Sequence, residues 1–385
     1  MPPKILVVDD EPDLESLIRQ KFRRQIRSDE LHFVFAHNGV EALQRLRENG
    51  DVDVVLTDIN MPEMDGLTLL TKINELQRLL KSVIVSAYGD MENIRTAMNR
   101  GAADFLTKPI DFQDLEITVN KTIGQLNVLK AAVHDHDQLQ AIRHELDVAA
   151  TIQQSILPRT FPPFPERDDF VLFAEMIPAR EVGGDFYDFF LIDPDHLGFV
   201  IADVSGKGVP AAIFMAICRT LLKSTALQGL PPGTCLERVN HLLGLDNSSE
   251  MFVTVFYGIM DSRTGALEYA NGGHNPPYLV RRGSTVEILE GTGGMALGAM
   301  PEVTYRAKQT ALDHGDTIFL YTDGITEAMD VGGNLFSDQR LHTCLERLNG
   351  APPEPMIRDV VRAVQAHAAE APQSDDITAL AINRA

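Results

Sequence analysis

Four short apolar runs in the C-terminal half of this chain each begin or end at an aspartate set beside small or turn-forming residues. They are Gly183-Gly184-Asp185, Asp203-Val204-Ser205-Gly206, Thr322-Asp323-Gly324 and Asp375-Asp376. Runs of this kind read as strands. A fold that gathers their ends brings together carboxylates that are far apart in sequence. All-oxygen clusters suit hard divalent ions such as Mg²⁺ or Mn²⁺, and two such ions activate water and clamp a phosphoryl group. The pattern therefore points to metal-dependent phosphate-ester hydrolysis.

The N-terminal part repeats the theme on a different scaffold. The β-branched run 4–8 ends in Asp9-Asp10, the run 52–57 ends in Asp58, 82–85 leads into Ser86, and 103–106 leads into Thr107-Lys108-Pro109. Helical segments separate these runs, and Pro12 and Asp13 open the first of them. The alternation predicts a doubly wound parallel sheet, in which ligands bind beyond the carboxyl ends of the strands. Asp9, Asp10, Asp58, Ser86 and Lys108 all fall there. This segment resembles the receiver domain of two-component response regulators over residues 1–122. The resemblance implies that Asp58 is the phosphoacceptor and that Asp9, Asp10 and Asp58 hold one Mg²⁺ with help from the backbone carbonyl of Asn60. It also implies that Lys108 pairs with the phosphoryl group and that Ser86 bonds it after phosphorylation. Phe105 occupies the aromatic switch position, where it lacks the hydroxyl of the tyrosine often found there.

Composition narrows the partners. A chain of 385 residues accommodates two domains and a connector. A formal net charge of −21 argues against broad contact with nucleic acid or anionic lipid. It also argues against a DNA-binding response regulator, for which no basic tail is present. No run is expected to be apolar for the roughly 18 residues a membrane-spanning helix needs, and the N-terminus lacks a signal peptide's layout. Cys218, Cys235 and Cys344 are few and without metal-type spacing, as in a cytoplasmic chain.

Residues 111–156 are nearly free of Gly and Pro and predict long helix. Leu115, Val119, Thr122, Leu126, Leu129 and Val133 follow steps of four and three. Leu139, Ile142, Leu146, Ala149, Gln153 and Ile156 repeat them in a shifted phase, with the break at residues 134–137. Two readings fit: a dimeric coiled coil with a soft joint, or a helix packed on its own domains. His134 and His136, two apart, face different sides of a helix and are expected to be solvated. Leu157-Pro158 ends the helix, and residues 161–165 form an extended link.

In the C-terminal part, strands are expected at 170–176, 198–202, 252–260, 267–271, 317–321 and 377–382, with helices at 210–223, 234–243 and 355–369, giving an α+β layered sandwich. Gly206-Lys207-Gly208 lacks the spacing of a P-loop. His274, in the loop 271–277, is either an acid–base residue or a loop anchor. The motifs Glu181 to Asp188, Ala202 to Gly208, Asn271 to Pro277, Tyr321 to Gly324 and Asp375 to Thr378 together resemble PPM-type Ser/Thr protein phosphatases, in the stage II sporulation E branch that regulates sigma factors.

The resemblance covers about residues 145–385. It implies an α-β-β-α sandwich and a site for two Mn²⁺ or Mg²⁺, with Asp203 bridging, the Val204 carbonyl on one ion, and Asp185, Asp323 and Asp375 completing the shells. Asp376 is the alternative to Asp375, which motif position favours. Ser205 stands where eukaryotic members carry a His that serves the leaving oxygen, so water at the metal site is left to supply that proton. Arg180 either binds substrate phosphate or sits on a solvated loop. The expected organisation is a receiver at 1–122, a helical coiled-coil linker at 123–160 that makes a homodimer, and a phosphatase at 161–385. The expected partners are a sensor histidine kinase and, as substrate, a phosphorylated anti-sigma-factor antagonist, with no nucleic acid and no membrane. A non-catalytic, sequestering response regulator is the alternative.

Overall fold

The computed structural model describes residues 2–87, 89–245 and 247–385. Two compact units, Met1–Ile142 and Arg143–Ala385, divide within one long helix. The first unit contains β1 (Lys4–Val8), α1 (Pro12–Lys21), α2 (Arg23–Arg27), β2 (His32–Ala36), α3 (Gly39–Glu48), β3 (Val54–Asp58), α4 (Gly66–Glu75), β4 (Lys81–Ala87), α5 (Met91–Asn99), β5 (Asp104–Lys108) and the start of α6 (Phe112–Ile156).

Its five strands are all parallel, in the order β2-β1-β3-β4-β5. The central runs are apolar throughout because both faces are covered. Ile5, Val7, Val54 and Leu56 join a cluster with Ile18 of α1 and Leu115 and Val119 of α6. Leu6, Val8 and Val55 pack with Ala42 and Leu46 of α3 and Leu69 of α4. Parallel strands place all their carboxyl ends on one edge, which sets Asp9, Asp58, Ser86 and Lys108 together. The edge strand β2 was not expected. Only Ala36 of its five residues is fully buried.

The apolar stripe of α6 is used at both ends inside the chain's own units. Leu115, Val119, Thr122 and Leu126 are buried in the first unit, and Lys130 pairs with Asp53. The packing of the first unit thus runs past residue 122. Leu146, Ala149 and Ile156 are half-buried in the second unit, and Gln153 is buried. Between these ends, Leu129, Val133, Leu139 and Ile142 are exposed. The helix continues through residues 134–137, where Gln138 and Gln140 side-chain amides contact His134 and His136 one turn back at 3.0 and 2.9 Å.

The second unit holds β6 (Phe170–Ile177), β7 (Phe186–Leu191), β8 (His196–Val204), α7 (Val209–Ala226), α8 (Pro232–Gly244), β9 (Val253–Asp261), β10 (Ala266–Gly272), β11 (Tyr278–Val280), β12 (Val286–Ile288), β13 (Ala307–Ala311), β14 (Thr317–Tyr321), α9 (Asp323–Thr326), α10 (Ser337–Arg347), α11 (Pro353–Ala368) and β15 (Ile377–Arg384). The strands form two antiparallel sheets, β13-β10-β9-β8-β7 and β12-β11-β14-β15-β6. Their facing sides share a core that includes Phe199, Phe256, Ile318 and Leu380, extended by Met215 and Leu222 of α7 and Leu236 of α8. The outer face of the second sheet packs Phe319 and Ala381 against Leu341 of α10 and Met356 and Val360 of α11. The result is an α-β-β-α sandwich.

The helix α7 corrects one expectation. It is 18 residues long with a mean hydropathy of 1.3, long and apolar enough by composition to cross a membrane, and it is the one such helix among the described residues. Its buried face, with Ala211, Met215, Cys218 and Leu222, joins the core. Its Arg219 and Lys223 reach Asp188 of β7, at 2.7 and 3.3 Å. The three cysteines are free, and Cys218 and Cys235 are buried among apolar neighbours.

Candidate active site and phosphoacceptor site

In the first unit, Asp9, Asp10 and Asp58 each offer a carboxylate oxygen within 4.8 Å of the others. Lys108 Nζ donates to Asp58 Oδ2 at 2.7 Å and to Glu11 Oε1 at 3.0 Å. It also stands 3.1 Å from Asp9 Oδ2, a buried oxygen. Burial pushes the Asp9 carboxyl up, opposed by the Glu11 backbone N–H and by Lys108. Burial also works against the Lys108 charge, but its bonds to Asp58, Glu11 and Asp9 outweigh it and leave its pKa raised. Three acid oxygens within 4.8 Å of one another that share one ammonium fit a hard cation. Ser86 is fully buried at the end of β4, with Oγ 3.4 Å from Asp90 Oδ2, whereas the Phe105 ring is 38% exposed.

In the second unit the acids arrive from two sheets. Asp185 immediately precedes β7, and Asp203 is the last but one residue of β8, its antiparallel neighbour, in which Phe186 pairs with Ala202. Asp323 follows β14, and Asp375 and Asp376 precede β15, where Tyr321 pairs with Ala379. Antiparallel pairing puts the start of one strand beside the end of the next, so both pairs of acids share one rim of the sandwich. Two hydroxyls join the sheets: Thr322 Oγ1 and Thr378 Oγ1 donate to Asp185 Oδ2 at 2.7 and 2.6 Å. Both threonines lie beside motif aspartates, yet sequence reasoning passed over them.

The electrostatics follow from the crowding. Burial and then the Asp203 and Asp376 charges raise Asp185 well above the usual carboxylate range. Asp203 is pushed up to about 7, first by burial and then by Asp323, with Asp375 and Asp376 adding and contact with Asp185 opposing. Burial, Glu327 and Asp375 raise Asp323. Asp185 and Asp203 in contact, with Asp323 and Asp375 acting on Asp203 through their charge, are a donor set suited to hard divalent cations, whose charge relieves the repulsion.

Asp375 and Asp376 have different surroundings. Asp376 is buried, and its two oxygens accept backbone N–H groups from Ala179 (2.8 Å), Gly184 (2.8 Å) and Asp185 (3.4 Å). It clamps the loop that carries Asp185, and a Cβ on Gly183 would stand 2.1 Å from its Oδ2. Asp375 is partly open and meets Lys207 Nζ at 2.7 Å. Lys207, dismissed as part of a spurious phosphate loop, therefore sits inside the acidic rim. Exposed Arg180 has Nη1 4.0 Å from where a Cβ on Gly208 would stand. The Val204 carbonyl lies against Gly184, 2.9 Å from where its Cβ would be.

Ser205 is committed to the loop: its Oγ accepts from Phe252 N at 3.0 Å, and its N–H donates to Phe252 O at 2.9 Å. His274 is buried, with Nε2 3.1 Å from the Tyr321 carbonyl and Nδ1 2.8 Å from Thr254 Oγ1. A carbonyl only accepts, so Nε2 carries the proton and Nδ1 accepts from Thr254. Burial pushes this imidazole down to about 4 from 6.5. It thus ties β9 to the end of β14, just before Asp323.

The sign of its linkage is set by that depression. Between the two values the unfolded chain binds the proton that the native ring refuses, so this stability is full above pH 6.5 and is lost as pH falls toward 4. The loss amounts to about 2 kcal/mol by pH 5. Urea unfolding of the metal-free protein at pH 7.5 and 5.0 should show the wild type losing about that much more than His274→Asn. Equal losses would assign the ring no part in acid lability.

Residues 193–385 match the family described as Stage II sporulation protein E, and residues 5–120 match the response regulator receiver domain. The chain belongs to the stage II sporulation protein E family. It is 31% identical over 299 residues to Protein IcfG of Synechocystis sp., covering 70% of this chain and 46% of that protein. It is 30% identical over 229 residues to the phosphoserine phosphatase RsbU of Bacillus subtilis, covering 58% of this chain and 66% of RsbU. The chain thus spans about half to two thirds of these relatives. Among solved structures, the SiaA-PP2C domain of Pseudomonas aeruginosa superposes with a TM-score of 0.57 at 25% identity, covering 64% of this chain and 98% of that domain. The acidic rim of this family member is built on a PP2C-type sandwich, in a chain that also carries a receiver unit.

Proposed function

We propose that this chain is a metal-dependent phosphoserine/phosphothreonine protein phosphatase controlled by phosphorylation of Asp58. The observation that carries the reading is the gathering of Asp185, Asp203, Asp323 and Asp375 on one rim, with Asp185 oriented by Thr322 and Thr378. Asp203, in contact with Asp185 and within reach of the Asp323 and Asp375 charges, would hold the cations together with those acids. Asp375 is the ligand and Asp376 the clamp. When bound, two divalent cations supply an activated water nucleophile and offset charge on the phosphoryl group.

The chain's own residues do the rest. Asp376 and the two threonines hold Asp185 in place, and Lys207 and Arg180 supply positive charge where a phosphate dianion arrives. His274, bonded through both nitrogens, anchors the loops. Ser205 Oγ accepts from Phe252 N–H and so fixes the loop that follows Asp203.

In the receiver unit, Asp58 takes the phosphoryl group from a histidine kinase, with Asp9, Asp10 and the Asn60 carbonyl holding one Mg²⁺. Lys108 then contacts the phosphoryl group, Ser86 bonds it, and Phe105 swings toward it. Family membership and the phosphoserine phosphatase RsbU support a phosphorylated anti-sigma-factor antagonist as substrate. The exposed Leu129, Val133, Leu139 and Ile142 of α6 support pairing of two chains there. An intact set of acids speaks against a purely sequestering role.

The switch is tested by measuring Mn²⁺-dependent aryl phosphate turnover of the full chain with and without beryllofluoride, alongside Asp58→Asn. Beryllofluoride should change kcat/KM several-fold in the wild type and not in the variant. An identical rate in all four samples would remove Asp58 from control.

A further inference from the structure

Lys207 joins two loops of the acidic rim that belong to different sheets. One loop, 205–208, leaves β8 just after Asp203; the other carries Asp375 into β15. Gly206 and Gly208 have φ of +90° and +76°, a region that suits glycine and strains residues with a Cβ, so the chain turns sharply on either side of Lys207. The Lys207 ammonium donates to the Ser374 carbonyl at 2.6 Å and pairs with Asp375 Oδ2 at 2.7 Å. The other oxygen of the same carboxylate, Oδ1, accepts from Asp376 N–H at 3.0 Å. Both oxygens of Asp375 thus have a partner within the chain. Among the described residues, Asp375 is the only one of the four rim acids that forms an ion pair. The charge of Lys207 also reaches Asp323, which burial, Glu327 and Asp375 raise and Lys207 helps to hold down.

We propose that Lys207 is a built-in counter-ion that competes with a divalent cation for Asp375 and so sets how tightly that side of the rim takes metal. The proposal rests on the metal-site reading above, and adds a second task to the charge that Lys207 offers to phosphate. A hard cation draws its affinity from carboxylate oxygens. At Asp375 it must take Oδ2 from the ammonium or share Oδ1 with the Asp376 N–H. The first course costs the ion pair, and the second leaves two positive charges on one carboxylate. Either weakens binding relative to a rim without Lys207. Lysine suits this task because its ammonium is a point charge with three donors on a flexible stem. It leaves one oxygen without dismantling the loop, and the Ser374 carbonyl keeps it at the rim.

The test is the Mn²⁺ half-saturation of the full chain, read by calorimetry for wild type, Lys207→Met, Asp375→Asn and the double variant, with metal-free melting temperatures alongside. Lys207→Met keeps the stem and removes the ammonium. It should lower the half-saturation at least fivefold, about 1 kcal/mol, the worth of a half-exposed ion pair. In the Asp375→Asn background no carboxylate is left to compete for, and the same substitution should change the half-saturation less than twofold. Equal tightening in both backgrounds would mean a charge acting only at a distance and overturns the proposal. So does an unchanged or weakened half-saturation in Lys207→Met, with or without a lower metal-free melting temperature, since that is the mark of a purely structural clip. Lys207→Gln, with an amide donor left for Ser374, serves in the same cycle if Lys207→Met does not fold. A wild type that binds no Mn²⁺ overturns the metal-site reading itself, so the two failures are told apart.

Discussion

Asp203→Asn is expected to lower kcat/KM for a small aryl phosphate by about a thousandfold, with the fold intact. Asp203 is the acid that touches Asp185 and feels Asp323, Asp375 and Asp376, and its carboxyl is pushed up to about 7. An amide keeps the shape and one acceptor oxygen but removes the charge that would hold the proposed cations. Metal-ion stabilisation of phosphoryl transfer is worth several kcal/mol, and about 4 kcal/mol corresponds to about a thousandfold. Relief of carboxylate repulsion should leave the metal-free variant at least as stable as wild type. The same substitution should abolish the rise in melting temperature that Mn²⁺ gives the wild type, because ligand binding to the native state is the source of that rise.

The second large effect separates two adjacent aspartates. Asp376→Ala strands the amides of Ala179 and Gly184 and weakens that of Asp185, all of which meet a buried carboxylate. The expected cost is about 3–5 kcal/mol of stability, a fall in melting temperature on the order of 10 °C for a unit of this size. Asp375→Ala removes a partly exposed contact with Lys207, worth at most about 1 kcal/mol, so the protein should melt near the wild-type temperature. Its turnover should nonetheless fall about a hundredfold, about 2.7 kcal/mol. Thermal melts and Mn²⁺-dependent kinetics on both variants decide the matter. The reverse pattern, a stable Asp376→Ala without activity and an unstable Asp375→Ala, would exchange the two roles.

Much of this was legible because the acids lie in short motifs at strand ends. Asp9, Asp58 and Lys108 end apolar runs long enough to be buried strands, and parallel order then brings them together. The α6 stripe shows where such reading stops. A step of three and four residues is equally the mark of a dimer seam and of a helix face laid on its own domain. Here Leu115 to Leu126 and Leu146 to Ile156 serve the second purpose. Gln153 held a place in that stripe as one seam position. Its pairing with Gly183 depends on a loop 30 residues away, which periodicity does not reach. Asp375 and Asp376 are neighbours in sequence with opposite surroundings, and only the placement of the Gly183-Gly184-Asp185 loop distinguishes them. Strands such as β2, β7 and β13 went unassigned. In β2 and β13 few residues are fully buried, and β7 carries Asp188 within an otherwise apolar run.

The most direct test of the central claim is phosphate release from an aryl phosphate by the full wild-type chain. It is measured with Mn²⁺, after chelation, and after Mn²⁺ is restored, beside Asp203→Asn. The account predicts turnover with Mn²⁺, none after chelation, full recovery on adding Mn²⁺ back, and none in the variant. Turnover that survives chelation, or an Asp203→Asn chain as active as wild type, would contradict it.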